Sequence, residues 1–377
     1  MMFWTLYLYE LKKIFSNKLK PLVLIAVAAF LFFASAQRYF GVNPETNAWK
    51  AEHLLDGRIM DEDFFAELCE DSNPDSGAMW RYAKRYARMV FYYNESQSIY
   101  HSSVEQESWT ADVFYDTRKR VIGEFADEFY LTRAEHEYWE RMEETIPKPF
   151  TYRSAQDMEN LRTTYQFTMT VTCMLIAVFL AESFAGETES KMDALIYSSK
   201  YGHKYTVAAK LAAGCTFSLV MGSVMLLMTH LPVLILSGLH GLDAPWYMVM
   251  QFSNITMKAW QMLLLHTLVY LLGCILAGLL VMMLSLFYDR SMAAAGTIFM
   301  IVLFDLFGNV PTHMRVLSQI RYLTPITILL NSEIPDMRLT KLFGRFLISF
   351  QTAPILYVPL GMILIIITVR IFRRRYR

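Results

Sequence analysis

Six apolar runs, each close to the length needed to cross a lipid bilayer, constrain this 377-residue chain more than any other feature. An α-helix needs about 20 apolar residues to cross a hydrocarbon core about 30 Å thick. A helix satisfies its backbone polar groups internally, which is why it can lie in lipid. The sequence therefore predicts an all-α, multi-pass membrane protein with a six-helix transmembrane bundle, whose spans are 21–40, 167–184, 211–239, 262–288, 292–307 and 352–371.

Residues 1–20 precede the first apolar run and carry an amphipathic pattern. Charged residues such as Lys12 and Lys13 alternate with apolar residues at helical spacing: Trp4, Leu8, Leu11 and Phe15. This pattern predicts a helix that lies in the membrane interface. The alternative is a signal peptide cleaved after Ala36, but the long charged leader with its helical period favours a retained helix.

Charge is strongly segregated along the chain, although the net charge is zero. Residues 38–166 contain 25 Asp and Glu against 15 Lys and Arg, and the remainder contains 10 acidic and 20 basic residues. Helical patterns dominate this acidic stretch, and a capping box at Thr132 and Glu135 opens one helix. We predict a mostly helical, extracellular domain over 41–166. A nucleic-acid-binding protein would concentrate positive charge on a soluble surface, so nucleic acid is not an expected partner.

Lysine and arginine near the ends of the spans predict the orientation, because cytoplasmic loops carry an excess of these residues. Of the 20 basic residues outside the acidic stretch, 14 fall on the side that holds both chain ends. Both termini are therefore expected in the cytoplasm of a cell, in a plasma membrane of bacterial type. The segment 319–350 is apolar but interrupted by Pro325, Asn331 and Pro335, which predicts short re-entrant or interfacial helices.

Two further features lie inside the predicted spans. Gly214, Ser218 and Gly222 recur every four residues, a spacing that lets helices approach closely in lipid, and we favour packing within the chain over a dimer contact. Asp305 lies near the end of the fifth span. An acid at membrane depth is a candidate functional site, although its place near the interface also fits a structural role in helix pairing or solvation.

Signals for catalysis and for cofactors are weak. Gly273 and Gly278 have the spacing of a phosphate-binding loop, but Leu279 stands where that motif needs lysine. The pattern from His136 to Glu140 lacks the second histidine of a zinc protease, and the four cysteines do not have zinc-ligand spacing. The sequence therefore predicts no catalytic residue, no metal and no cofactor, and a chain that is not itself an enzyme.

The loop at 185–210 is the most informative stretch. Glutamates and a glycine open it, and an apolar strip formed by Met192, Leu195 and Ile196 follows between charged residues. This pattern predicts a short amphipathic helix along the inner membrane face. The residues that we single out are Glu182, Gly186, Glu187, Glu189, Leu195, Ser198, Ser199 and Lys210.

The whole layout resembles the permease subunits of ABC-2 type transporters. These have an interfacial helix, six spans, and a loop that opens with a Glu, a Gly four residues on and another Glu, followed by a Leu-Ser-rich turn and a basic residue. Glu182, Gly186, Glu189, Leu195, Ser198, Ser199 and Lys210 resemble those positions. Where the family often has Ser-Pro and then a basic residue, this chain has Ser199 followed by Lys200, Tyr201 and Gly202.

The resemblance implies an exporter in which the loop is a coupling helix that docks on a separate P-loop ATPase subunit. It also implies a second copy of the chain, or a homologous permease, as partner in the surrounding membrane lipids. Two alternatives stay open. The chain could be a membrane-anchored sensor or scaffold whose extracellular domain binds a ligand or partner. An intramembrane enzyme ranks last, because no second acid is visible in the spans to pair with Asp305.

Overall fold

The computed structural model describes residues 2–40, 53–70, 77–91, 93, 109–192, 205–236, 239–330, 336–342 and 344–375. About 75% of the described residues are helical. In chain order the helices are α1 (Met2–Ile14), α2 (Leu19–Phe40), α3 (Glu62–Glu70), α4 (Gly77–Phe91), α5 (Ala111–Glu128), α6 (Arg133–Glu144), α7 (Gln156–Leu180), α8 (Glu182–Glu189), α9 (Thr206–Leu236), α10 (Trp246–Val249), α11 (Ala259–Ser285), α12 (Ser291–Phe307), α13 (Arg315–Tyr322), α14 (Pro325–Ile328) and α15 (Ser349–Arg375). Among these residues, the strands are β1 (Thr340–Leu342) and β2 (Arg345–Leu347), which pair as an antiparallel hairpin.

Five helical segments in the described ranges are long and apolar enough to cross a membrane: α2, α7 continued by α8, α9, α11 and α15. The length and apolar composition of these helices identify a multi-pass membrane protein. The predicted span 292–307 coincides with α12, an apolar helix of 17 residues. At 1.5 Å per residue α12 is about 26 Å long, which is at the lower limit for a crossing helix.

Helix α11 is the centre of the bundle, since it contacts α7, α9, α12 and α15. The predicted stripe of small residues on α9 faces it. A Cβ atom on Gly222 would lie 2.9 Å from Cys274 Sγ of α11, and Gly214 has Met282 of the same helix closer still. Ser218 lies against Gly278 of α11 in the same way. The stripe thus packs within the chain, as the spacing predicts, and it lets two backbones approach where larger side chains would collide.

Residues 53–155, which we call the polar helical region, carry α3 to α6 between the first two spans. Their core is aromatic: Phe64, Phe65, Tyr86, Phe114 and Phe125 are fully buried or nearly so. The capping box is confirmed, because the Glu135 carboxylate accepts the backbone N–H of Thr132 at 2.7 Å. Helical structure is thus confirmed for the described part of this region.

A buried arginine fastens the polar helical region to the segment between α9 and α11. Arg118, on α5, is 1% exposed and donates to both carboxylate oxygens of Glu143 at 2.9 Å. It also donates to the backbone carbonyls of Gln251 at 2.9 Å and Ser253 at 2.7 Å. Burial alone would raise the pKa of Glu143, but the charge of Arg118 and the contact with Lys148 outweigh it and lower that pKa. The ion pair is therefore charged at neutral pH.

A second attachment joins α6 to the segment that precedes α15. The Glu135 carboxylate accepts from Arg315 at 2.7 Å and from the backbone N–H of Leu339 at 2.8 Å. Trp139 donates its indole N–H to the carbonyl of Met337 at 2.6 Å. The regular elements among the described residues of this segment are α13, α14 and the hairpin, so residues 340–342 and 345–347 form strands where a short helix was expected. Gly344, with φ +78°, makes the reversal between the two strands.

Gly241 offers a test of how closely the polar helical region approaches the loop after α9. Its φ is +78°, and a Cβ atom there would lie 2.5 Å from the carbonyl oxygen of Ser154. We expect Gly241→Ala to lower the free energy of unfolding by about 2–4 kcal/mol, since left-handed strain and overpacking each cost about 1–3 kcal/mol. Gly344→Ala is the matched control, because that glycine has the same φ of +78° with nothing within 4 Å. Equal losses of stability in the two variants would contradict the close approach.

Candidate functional site

The first part of the predicted coupling loop is a helix that extends the second span. Helix α7 ends at Leu180, Ala181 keeps a helical backbone, and α8 follows from Glu182 to Glu189. The chain leaves this helix at Lys191, whose φ is +55°. Residues 193–204 lie outside the described residues, so the predictions for Leu195, Ser198 and Ser199 stay predictions.

Glu187 is the centre of an ion-pair cluster that joins three helices. It is 3% exposed, and its carboxylate accepts from Lys210 of α9 at 2.6 Å and from Lys13 of α1 at 2.7 Å. Lys210 also donates to the backbone carbonyl of Ser183 at 2.7 Å and to Glu10 at 3.2 Å. The start of the loop is therefore held to α1 and to α9.

Glu182 extends this cluster to the first span. Its carboxylate accepts from Lys20 of α2 at 2.6 Å, and the Lys20 side chain is 8% exposed. We call the set the α1–α8 charge cluster, defined by Glu10, Lys13, Lys20, Glu182, Glu187 and Lys210. Its three acids and three bases balance, which a partly buried cluster needs because an uncompensated charge is costly away from water.

The pKa of Lys13 is raised by its partners in the cluster. Burial would lower the pKa of this ammonium group, but the hydrogen bond and the charge of Glu187 outweigh burial and raise that pKa. Lys13 is therefore a cation across the neutral range. The sequence pattern identified Glu182, Glu187 and Lys210 but missed Glu10, Lys13 and Lys20 as their partners. Residues 174 positions apart, as Lys13 and Glu187 are, give no pairing signal in a single sequence.

Of the other described residues at the start of the loop, Gly186 is half-buried and Glu189 and Met192 are exposed. Glu189 is exposed and accepts a hydrogen bond from Ser291 Oγ at 3.1 Å. A Cβ atom on Gly186 would meet Glu182 Cβ at 3.4 Å, which is ordinary contact. Met192 is 49% exposed. The loop residues thus form two groups: Glu187 and Lys210 are buried in the bundle, whereas Glu189 and Met192 face outward.

Segments that were predicted to share one side of the membrane meet at this end of the bundle. Arg375, at the end of α15, donates to Asp289 at 2.7 Å. Asp289 lies just before α12, whose first residue is Ser291, the partner of Glu189. The N-terminal helix, the loop after α7, the α11–α12 turn and the C-terminal helix therefore lie together, and the polar helical region lies at the other end.

Asp305 lies at that other end, near the end of α12. Its carboxylate accepts from the hydroxyl of Thr324 at 2.7 Å and from that of Thr327 at 2.9 Å. Arg321 donates to the backbone carbonyl of Asp305 at 3.1 Å. The acid thus attaches α12 to the short helices α13 and α14, which is the geometry of helix pairing.

No group of three or more metal-ligating side chains comes together in the described part of the chain. Comparison with protein-family models, with curated proteins and with solved structures finds no match.

Proposed function

We propose that this chain is the permease subunit of an ABC-type exporter in a cell membrane, driven by a separate P-loop ATPase that docks on the loop after α7. The single observation that carries the proposal is the α1–α8 charge cluster. In it, the start of a loop with the residue pattern of a coupling helix is bonded to α1, α2 and α9 at once.

The cluster supports a mechanical role. Helix α8 continues α7, so a push on the loop acts along the second span. Glu187 binds Lys13 and Lys210, and breaking a buried ion pair costs several kcal/mol, so α1 and α9 move with α8. Nucleotide-driven closure of the ATPase would then bias the bundle between two arrangements.

The proposal also specifies the number of crossing helices, the orientation of the chain and a partner permease. Six helices cross the membrane, with α12 as the fifth, and both termini are cytoplasmic together with the charge cluster. The polar helical region is extracellular and rests on the loops at its end of the bundle through Arg118 and Glu135. A second copy of the chain, or a homologous permease, completes the pathway.

The test is affinity purification of the tagged protein from native membranes, followed by identification and quantification of bound proteins. We expect a P-loop ATPase near equal stoichiometry. Met192→Asp should reduce its recovery about tenfold or more, because an apolar side chain buried at a docking surface contributes about 1.5–3 kcal/mol. Met314→Asp is the matched control, since the exposures of Met192 and Met314 are 49% and 50% and Met314 lies at the opposite end of the bundle.

Absence of an ATPase, or equal losses with the two methionine variants, would contradict the proposal. Either outcome would favour the sensor or scaffold alternative and direct attention to the polar helical region.

A further inference from the structure

An apolar groove opens beside α1, where that helix crosses α9 and the beginning of α2. Its volume is about 440 Å³, within the usual range for ligand pockets. The walls include Phe15, Leu24, Phe217, Val220, Met221 and Val224. We call it the α1 groove; all of its lining residues belong to the described part of the chain.

The groove descends along the bundle from the level of the interfacial helix. Thr216 lies at its upper part, where its hydroxyl accepts from Tyr7 of α1 at 3.0 Å, and Val224 lies eight residues further along α9. Eight helical residues correspond to about 12 Å. The groove is therefore elongated and apolar, and the amphipathic helix α1 borders its upper end.

Lys12 lies at the upper end of the α1 groove. Lys12 lines the α1 groove and is exposed. The neighbouring Lys13 and Lys20 are bonded to Glu187 and Glu182, whereas Lys12 forms no ion pair with any residue that the structure describes. Its positive charge is therefore available to an anion at the membrane surface.

Because a lysine lies above an apolar groove, we propose that the α1 groove binds one anionic phospholipid. Its acyl chain would lie along Val220 and Val224, and its phosphate at Lys12. A phospholipid carries a charged group above an apolar chain, which matches a cation above an apolar slot at interfacial depth. Anionic headgroups are attracted to lysine at the membrane surface by about 1 kcal/mol per residue. The proposal stands independently of the transport function.

The test is native mass spectrometry of the full-length protein, purified in mild detergent and supplied with phosphatidylglycerol. We expect one retained phosphatidylglycerol per chain and several-fold weaker retention of phosphatidylcholine. Lys12→Gln should weaken phosphatidylglycerol retention about fivefold, which corresponds to the loss of one lysine at the surface. Lys18→Gln is the matched control, because Lys18 is also exposed but does not line the groove, and it should leave retention unchanged.

A second variant tests the apolar part. Val220 is 55% exposed, so Val220→Trp fills the groove without disturbing the buried core, and it should abolish retention while Lys12 is intact. Equal effects of Lys12→Gln and Lys18→Gln would overturn the proposal, because they would indicate general surface attraction. A change of oligomeric state in Val220→Trp with lipid retention unchanged would also overturn it, because a second copy of the chain would then cover the groove.

Discussion

Replacing Lys210 with methionine is expected to lower the free energy of unfolding by about 3–5 kcal/mol, the usual effect of removing one partner of a buried ion pair. Lys210 has a side chain that is 1% exposed, and it bonds Glu187, Glu10 and the backbone carbonyl of Ser183. The variant leaves the Glu187 carboxylate buried with Lys13 as its remaining cation. The measurement is thermal or denaturant unfolding of the purified protein in one detergent.

Two controls define this result. Lys18→Gln removes a lysine that is exposed and makes no ion pair with the described residues, so it should change stability by less than about 0.5 kcal/mol. A double variant, Glu187→Gln with Lys210→Met, removes the acid as well as the base and should recover part of the loss. Equal stability of Lys210→Met and Lys18→Gln would contradict the buried cluster.

Arg118→Met is expected to release the polar helical region from the loop between α9 and α11. The guanidinium group bonds Glu143, Asn254 and two backbone carbonyls, and the substitution removes this donor from all of them. Glu143 keeps Lys148 as its remaining cation. We expect the free energy of unfolding to fall by about 3–5 kcal/mol. We also expect faster cleavage by an added protease at residues 239–258. Limited proteolysis with unfolding measurements would detect both effects.

Arg118→Lys should fail to restore stability, because an ammonium group cannot reproduce the planar fork that reaches both Glu143 and the carbonyl of Ser253. The matched control is Arg120→Gln, on the same helix. Arg120 is paired with Glu124 at the surface, with a side chain 50% exposed, and an exposed pair of this kind contributes less than about 1 kcal/mol. Protection from protease that persists in Arg118→Met would show that the attachment depends on other contacts.

Lys210→Met and Arg118→Met act at opposite ends of the bundle. Together they test separately the charge cluster and the attachment of the polar helical region. If the charge cluster transmits motion from an ATPase, conservative changes in it should reduce transport before they reduce folding. Changes at Arg118 act on the placement of the polar helical region. In the proposed mechanism, we therefore expect coupling to the ATPase to be most sensitive to substitutions in the charge cluster. The placement of the polar helical region should be most sensitive to substitutions at Arg118.

Local sequence patterns predicted much of the helical architecture. Apolar runs of spanning length predicted the long helices, because each one must satisfy its backbone groups within itself. Thr132 and Glu135 predicted a helix start, and the four-residue spacing of Gly214, Ser218 and Gly222 predicted close packing. The β1–β2 hairpin was missed because short apolar runs do not distinguish strand from helix.

The partners of the charged side chains were decided by the tertiary structure alone. The sequence marked Glu187 and Lys210 as part of one loop pattern, but it gave no sign that Lys13 completes the ion pairs or that both are buried. It likewise gave no sign that Arg118 reaches carbonyls more than 130 residues away. Helix formation depends on neighbours along the chain, whereas the burial and pairing of charges depend on which helices are brought together, and that is determined by the packing of the whole bundle.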